Sequence, residues 1–273
     1  MRPVLTFTTD FGADGPYVAE MKGVAISLCP DATLVDVTHD VPPQNVRAGA
    51  FVMMRVVPHY PAGTVHVGVV DPGVGTDRAI ICLRVAGQFL VGPDNGLLSW
   101  AAEKLADLHD SKIECRRVAN KELWRGEVSS TFHGRDIMTP VAAHLARGVP
   151  FDAVGPRMDD WLRLAWPPIE RNATSVTGEV IFVDHFGNLV TNVPGSAVQQ
   201  LAGQGRLMCD AGALRGIPVV NTYGAATPGS VVCIVGSADL AEIAVVNGNA
   251  AERLGLPIGQ RVTIRCHEEG QEL

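Results

Sequence analysis

The chain changes its hydrophobic rhythm once, at Trp166-Pro167-Pro168, and that break governs what it can fold into. Before it, short apolar runs alternate with helix-like stretches. PVLTFTT, TLVDV and TVHVGVV read as strands, with AIICLRV and QFLVG as a possible pair. GPYVAEMKGVAISL, NVRAGAFVMMRVV and GLLSWAAEKLADL read as helices between them, and a further helix is expected at DIMTPVAAHLA. Pro16 near the first turn and Cys29-Pro30 at the end bound the first helix. Apolar positions nearly encircle the second, which predicts that it is sandwiched. Strands alternating with helices imply a largely parallel sheet covered on both faces. Ligands of such sheets bind beyond the carboxyl ends of the strands. Asp10 and Asp71 each follow directly on such an end, after LTFTT and VHVGVV.

At the break, two consecutive prolines cannot continue a helix. The segments that follow, EVIFVDHFGNLVTNV, RLMC, IPVVNTY, SVVCIVG, AEIAVVNG and RVTIRC, are short, β-branched and separated by glycine or proline. They predict a compact antiparallel β domain, a small barrel or sandwich. VDHFGNLVTN predicts a hairpin with Gly187-Asn188 at its turn. The expected fold class is therefore α/β, with an α/β domain over residues 1–165 and a β domain over residues 171–273.

At 273 residues and 47% hydrophobic content, the chain can bury a sizeable core. It has no apolar run near the roughly 20 residues of a membrane span, and MRPVLTFTTD lacks a signal-peptide pattern. The expectation is a soluble, cytoplasmic protein with no membrane partner. A net charge of −7 without a basic block argues against nucleic acid. The six cysteines are scattered with no CxxC pair, and the eight histidines show no metal-ligand spacing, so no metal is expected. TTDFG and HGRD resemble kinase vocabulary, but in a kinase the catalytic-loop motif precedes DFG, whereas here DFG comes first. GxGxxG, the phosphate loop, GxSxG and HExxH are all absent.

Three short motifs stand out, each open to a structural or a functional role. DPGVGTDR, residues 71–78, is a glycine-rich loop directly after a strand, either a tight turn with a salt-bridged aspartate or a loop that a ligand approaches closely. FHGRD sets His133 between Phe132 and Gly134 just before a helix. PDNGLL, residues 93–98, is a turn before a helix, where capping chemistry is the ordinary explanation.

In order along the chain, TTDFG, PYVAEMKGV, VDVTHDVPP, GTVHVGVVDPGVGT, VGPDNGLL, FHGRD, VDHFGNLVTN and EIAVVNGNAAERLG closely resemble the S-adenosyl-L-methionine (SAM) hydrolase family, or SAM hydroxide adenosyltransferases. That family is related to the fluorinase and chlorinase. The resemblance implies an N-terminal α/β domain, a C-terminal β-barrel, and a homotrimer with SAM bound between subunits. It implies no cofactor beyond the substrate. An Asp-Arg-His set would activate water for attack on the ribose C5′, falling here on Asp71, Arg78 and His133. Asp10 would grip the ribose hydroxyls, and Phe132 would also meet substrate. From the second domain, Asp184 and Asn188 match positions near the methionine and adenine portions. Tyr223 stands where the halogenases carry an aromatic over adenine. Ser237 and Glu242 match the methionine side, and the backbone from Val245 to Asn247 the adenine edge.

The residue types suit this chemistry. A sulfonium already leaves as a neutral thioether, so the reaction lacks only a nucleophile. A site must hold one water in line with the C5′–S bond and help remove its proton. The sequence also departs from the resemblance. The acid usual just before Pro-Tyr of the first helix is Gly15 here, with Asp14 displaced by one. Halogenases carry a hydroxyl residue at the place of Gly134 and no acid at the place of Asp71, so water is favoured over halide. The rival readings are a halogenase on the same scaffold and a catalytically silent SAM- or adenosine-binding module.

Overall fold

A computed structural model of the chain describes residues 2–203 and 205–267. They form two compact units that divide between Ala165 and Trp166.

The first unit is a doubly wound α/β layer structure. Its strands are β1 (Val4–Thr9), β2 (Thr33–Thr38), β3 (Val65–Val69), β4 (Ile80–Val85), β5 (Gln88–Pro93) and β6 (Glu114–Arg117). They lie in the order β2-β1-β3-β5-β4-β6. The pairs β1–β2, β1–β3 and β3–β5 are parallel, while β4 runs antiparallel to β5 and β6. AIICLRV and QFLVG thus close a hairpin beside the parallel strands. The helices are α1 (Tyr17–Leu28), α2 (Val46–Val56), α3 (Ser99–His109) and α4 (Thr139–Ala146). α1 packs with α4 and α2 packs with α3, on opposite faces of the sheet.

The alternation of β1 and β3 decides which residue meets which layer. Leu5, Phe7, Val65, Val67 and Val69 join Met21, Ala25, Met138 and Val141 in one core. On the other face, β3 must have a small residue: a Cβ at Gly68 would lie 2.8 Å from Met53 Sδ and 3.1 Å from Leu97. The sandwiching of α2 has the same cause, since a Cβ at Gly49 would meet Leu97 at 2.7 Å.

The second unit is a closed barrel. Its strands are β7 (Glu170–Arg171), β8 (Ser175–Val183), β9 (Leu189–Pro194), β10 (Arg206–Ala211), β11 (Leu214–Val220), β12 (Val231–Val235), β13 (Leu240–Val245) and β14 (Arg261–His267). The order β14-β10-β11-β12-β13-β9-β8 returns to β14, and β7 adds to β8. All pairs are antiparallel except β11–β12, which run parallel through Val219↔Cys233 and Val220↔Ile234. Two helices not foreseen from the sequence accompany the barrel, α5 (Gly195–Ala202) and α6 (Ala250–Leu254). α5 turns Ala197, Val198 and Leu201 into the barrel core.

A buried polar cluster in the sheet joins His66 of β3 to Thr6 of β1 and Gln88 of β5. His66, 1% exposed, accepts from the Thr6 hydroxyl at Nδ1 (2.8 Å) and meets Gln88 Oε1 at Nε2 (2.7 Å). Gln88 spends its amide N–H on Tyr60 O, so its oxygen faces the ring and His66 must carry its proton on Nε2. Burial pushes its pKa down to about 4. A depressed histidine pKa means that the unfolded chain binds the proton first on acidification. The stability contributed by neutral His66 is complete above the ordinary value of about 6.5 and is lost as the pH falls to about 4. Urea unfolding across this window should show a decline containing about 3 kcal/mol from this group, absent in a His66→Gln variant. Equal pH slopes for the two proteins would refute the assignment.

Candidate active site

The carboxyl ends of β1 and β3 open into a cleft of about 420 Å³. Thr9 and Val69 are direct partners in the ladder; Asp10 follows at once and Asp71 one residue later, after Val70, and both line the cleft. Asp10 Oδ2 accepts from the backbone N–H of Gln44 at 2.7 Å. Gln44 holds that donor in a left-handed conformation, φ 64°.

The loop from Asp71 to Arg78 coils back on itself through Val74 N–H to Asp71 O and Thr76 N–H to Gly73 O, each at 3.2 Å. Gly75 is required there. Its φ is +79°, and a Cβ would lie 2.7 Å from Ser130 O. The coil returns Arg78 to Asp71: Nε donates to both carboxylate oxygens at 3.0 Å, and Nη2 donates to Oδ2. Nη2 also donates to His133 Nδ1 at 2.9 Å. A guanidinium has no acceptor, so that contact fixes the imidazole as neutral with its proton on Nε2. Burial lowers the pKa of His133, and the Arg78 charge lowers it further, against a smaller opposing pull from Asp71 and Asp136.

His133 directly precedes a π-helical turn, Gly134–Met138, that leads into α4. Gly134 packs at the end of β3, where a Cβ would lie 3.1 Å from Val69 Cγ1. The other charged members of FHGRD are anchors. Asp136 is fully buried and accepts from Arg135 Nε (2.7 Å) and Nη2 (2.9 Å), Arg125 Nη1 (2.7 Å) and Ser129 N–H (2.9 Å). Burial raises its pKa, but these donors outweigh that and hold it at about 2. Arg135 also donates to Glu20 at 2.6 Å, tying the turn to α1. Phe132 is nearly buried and forms an aromatic triangle with Phe11 and Tyr17, centroids 5.4, 5.6 and 5.7 Å apart. Neither Phe11 nor Tyr17 was singled out from the sequence, although both lie in quoted motifs. An aromatic directly after Asp10 was the available signal. Asp14 is exposed and lies outside the cleft lining.

In the second unit, Asp184 organises the β8–β9 turn. Oδ1 accepts from Phe186 N–H (2.9 Å) and Asn188 N–H (2.8 Å), and Oδ2 accepts from Asn188 Nδ2 (2.9 Å). Gly187, φ +82°, is pressed against the Asn249 side chain, which leaves no room for a Cβ. Tyr223 donates its hydroxyl to Glu242, a nearly buried residue of β13. Burial, the Glu242 contact and the charges of Glu242 and Asp184 together raise the Tyr223 pKa. Ser237 lies in the β12–β13 turn, and the backbone at Gly236 is held against the Glu242 carboxylate. Val245 turns its side chain into the barrel core, while its carbonyl accepts from Gly248 N–H at 2.9 Å. The structure thus gathers Asp10, Asp71, Arg78, Phe132 and His133 in one unit. In the other it brings Asp184 to Asn188 and Tyr223 to Glu242. Among the described residues, no group of three or more His, Cys, Asp or Glu is placed to hold a metal ion.

Two family models match the chain: the SAM hydroxide adenosyltransferase N-terminal domain over residues 5–155 and the C-terminal domain over residues 178–263. The (R)-S-adenosyl-L-methionine hydrolase of Salinispora tropica is 41% identical over 264 residues, 96% of this chain and 97% of the relative. The protein of the same name from Thermus thermophilus is 37% identical over 275 residues, 97% of this chain and 100% of the relative. The crystal structure of an uncharacterized conserved protein from Thermotoga maritima superimposes with a TM-score of 0.87 at 35% identity, covering 96% of this chain and 100% of that one.

The arrangement around Arg78 makes a spectroscopic prediction. Nitrogen NMR of the native protein should show His133 in the Nε2–H form, because Arg78 occupies Nδ1. An Arg78→Met substitution removes a charge that lowers the His133 pKa and leaves the opposing Asp71 charge unpaired. The His133 titration should therefore move to higher pH. An unchanged or lower midpoint would show that Arg78 does not control the ring.

Proposed function

The chain belongs to the SAM hydroxide adenosyltransferase family, and from that premise we propose that it hydrolyses SAM to adenosine and L-methionine by attack of water on the ribose C5′. The observation that carries this reading is the Asp71–Arg78–His133 constellation, standing beside Asp10 at the carboxyl edge of a parallel sheet.

In the reaction, a water oxygen forms a bond to C5′ as the C5′–S bond breaks. The bonding pair goes to sulfur, and methionine leaves as a neutral thioether. The oxygen, briefly a protonated alcohol, gives its proton to a base and then to solvent. Asp71 receives the hydrogen bond of the attacking water and takes that proton. Arg78 holds the carboxylate still and keeps the imidazole at a fixed angle. His133 carries its proton on Nε2 and so acts as a donor that orients the water rather than as its base.

Asp10 binds the ribose hydroxyls in this reading, with Phe132, Phe11 and Tyr17 as an apolar wall. Asn188, oriented by Asp184, and the Val245 backbone meet the adenine, and Tyr223 stacks on it. Ser237 and Glu242 serve the methionine end. The substrate is the (R)-sulfonium epimer, a preference supported by the name of the relatives. The assembly is a homotrimer whose sites are shared between subunits, as the family resemblance suggests. The setting is cytoplasmic, which the six free cysteines support. No helix among the described residues is long and apolar enough to cross a membrane.

Incubation of each SAM epimer in labelled water should place the label in the 5′-hydroxyl of adenosine, faster for the (R) form. Asp71→Asn should lower turnover about 10²–10⁴-fold while leaving most adenosine affinity intact. A 5′-halogenated product in halide buffer, or a fully active Asp71→Asn enzyme, would overturn the mechanism. The shared-site reading has its own test. Mixing Asp71→Ala with Asp184→Ala protein under subunit exchange should restore activity, and verified mixed trimers without activity would contradict it.

A further inference from the structure

The PDNGLL turn between β5 and α3 takes no part in the chemistry above, yet it holds both feet of the loop that does. Asn95 Nδ2 donates to Val70 O at 2.9 Å, and Val70 directly precedes Asp71. One residue earlier, Asp94 N–H donates to Ala79 O at 2.9 Å, directly after Arg78. The turn is itself rigid. Asn95 Oδ1 accepts from Leu97 N–H at 3.1 Å, and Asp94 Oδ1 accepts from Leu162 N–H at 2.8 Å. Gly96, φ +92°, brings the backbone so near Leu164 that a Cβ would lie 2.5 Å from Leu164 Cγ.

The Val70 carbonyl needs such a partner. β3 pairs with β1 as far as Thr9↔Val69 and with β5 as far as Val67↔Val91, so Val70 lies past both ladders. Val70 is fully buried, and a buried carbonyl must be satisfied by something other than water. The Asn95 amide takes the place of the missing strand. It also selects one orientation of the peptide that joins Val70 to Asp71. Rotation of that peptide would swing the Asp71 carboxylate against Arg78 and away from any water aligned on C5′.

We propose that Asn95 is a positioning residue, which aims the Asp71 carboxylate by holding the Val70 carbonyl. The proposal rests on the reading of Asp71 as the group that orients the attacking water. An Asn95→Asp substitution keeps the shape and the acceptor for Leu97 N–H but replaces the donor with a carboxylate oxygen that repels Val70 O. Protonation at lower pH returns an O–H donor, which Asn95→Ala can never supply.

The test combines kinetics and NMR on Asn95→Asp, Asn95→Ala and the milder Asn95→Ser, with thermal unfolding as a check of the fold. At alkaline pH, Asn95→Asp should lose turnover about 10²-fold, the size of effect that a misplacement of ~1 Å produces, with adenosine affinity largely retained. Its activity relative to the native protein should climb on acidification, and that of Asn95→Ala should not. Folded variants that keep native turnover, or lose binding and turnover in proportion, overturn the proposal. So does failure of all three to fold, which would make Asn95 a determinant of folding rather than of aim. If the native protein releases no adenosine, the hydrolase reading fails, and the His133 titration still judges the clamp. A titration unmoved in both Asn95→Asp and Asn95→Ala would refute it.

Discussion

The parallel pairing of β1 with β3 is the constraint on which the first unit depends. The chain leaves β1 for β2 on one side and then crosses to β3 on the other, so the strand order reverses between β1 and β3. The connecting helices α1 and α2 consequently pack on opposite faces, and the strand ends diverge into a crevice between them. Asp10 directly after β1, and Asp71 one residue beyond Val70 after β3, follow those two strands into the crevice. Their proximity is thus a property of the topology. The ladder partners Thr9 and Val69 bring together two acids that lie far apart in sequence.

Two acids in one crevice would repel each other, and the Arg78 guanidinium is the local answer. One cation engages both oxygens of Asp71 and the imidazole of His133. This reach depends on the short coil of DPGVGT and on Gly75, where a side chain would strike Ser130. Asp136, close by in sequence to His133, shows the opposite treatment. Arg125, Arg135 and Ser129 surround it so completely that it serves only to fasten the turn. Of these two carboxylates, Asp71 lines the cleft wall and Asp136 is locked into structure.

Much of this was readable from residue patterns, because the governing signals are local. Period and length marked β1, β3, α1, α2 and α3, and strand ends marked Asp10 and Asp71. The change of rhythm at Trp166-Pro167-Pro168 coincides with the division between the two units. What escaped depends on contacts between distant segments. The parallel β11–β12 pair arises because the chain between them, around Tyr223–Ala225, carries β12 back alongside β11 instead of turning a hairpin. α5 begins at Pro194-Gly195, which reads as a turn until the barrel core gives Val198 and Leu201 something to bury against. The π-helical turn after His133 has no composition cue, and the tautomer of His133 is set by an arginine 55 residues away.

The pairing of Asp71 with Arg78 looks at first like a poor arrangement for a base, since the guanidinium engages both carboxylate oxygens. In the proposed reaction that matters little. Attack of neutral water on a sulfonium-bearing carbon produces an oxonium, a far stronger acid than any carboxylic acid, so even a weak carboxylate base takes its proton. The difficult part is placing the oxygen in line with the breaking bond, and there rigidity counts for more than basicity. An ion pair bound at both oxygens, with its loop fastened at Val70 and Ala79, has a fixed direction. In that reaction the same anion at the cleft wall repels halide but accepts a hydrogen bond from water. In the proposed reaction, the residue that orients the nucleophile thereby also helps to choose it.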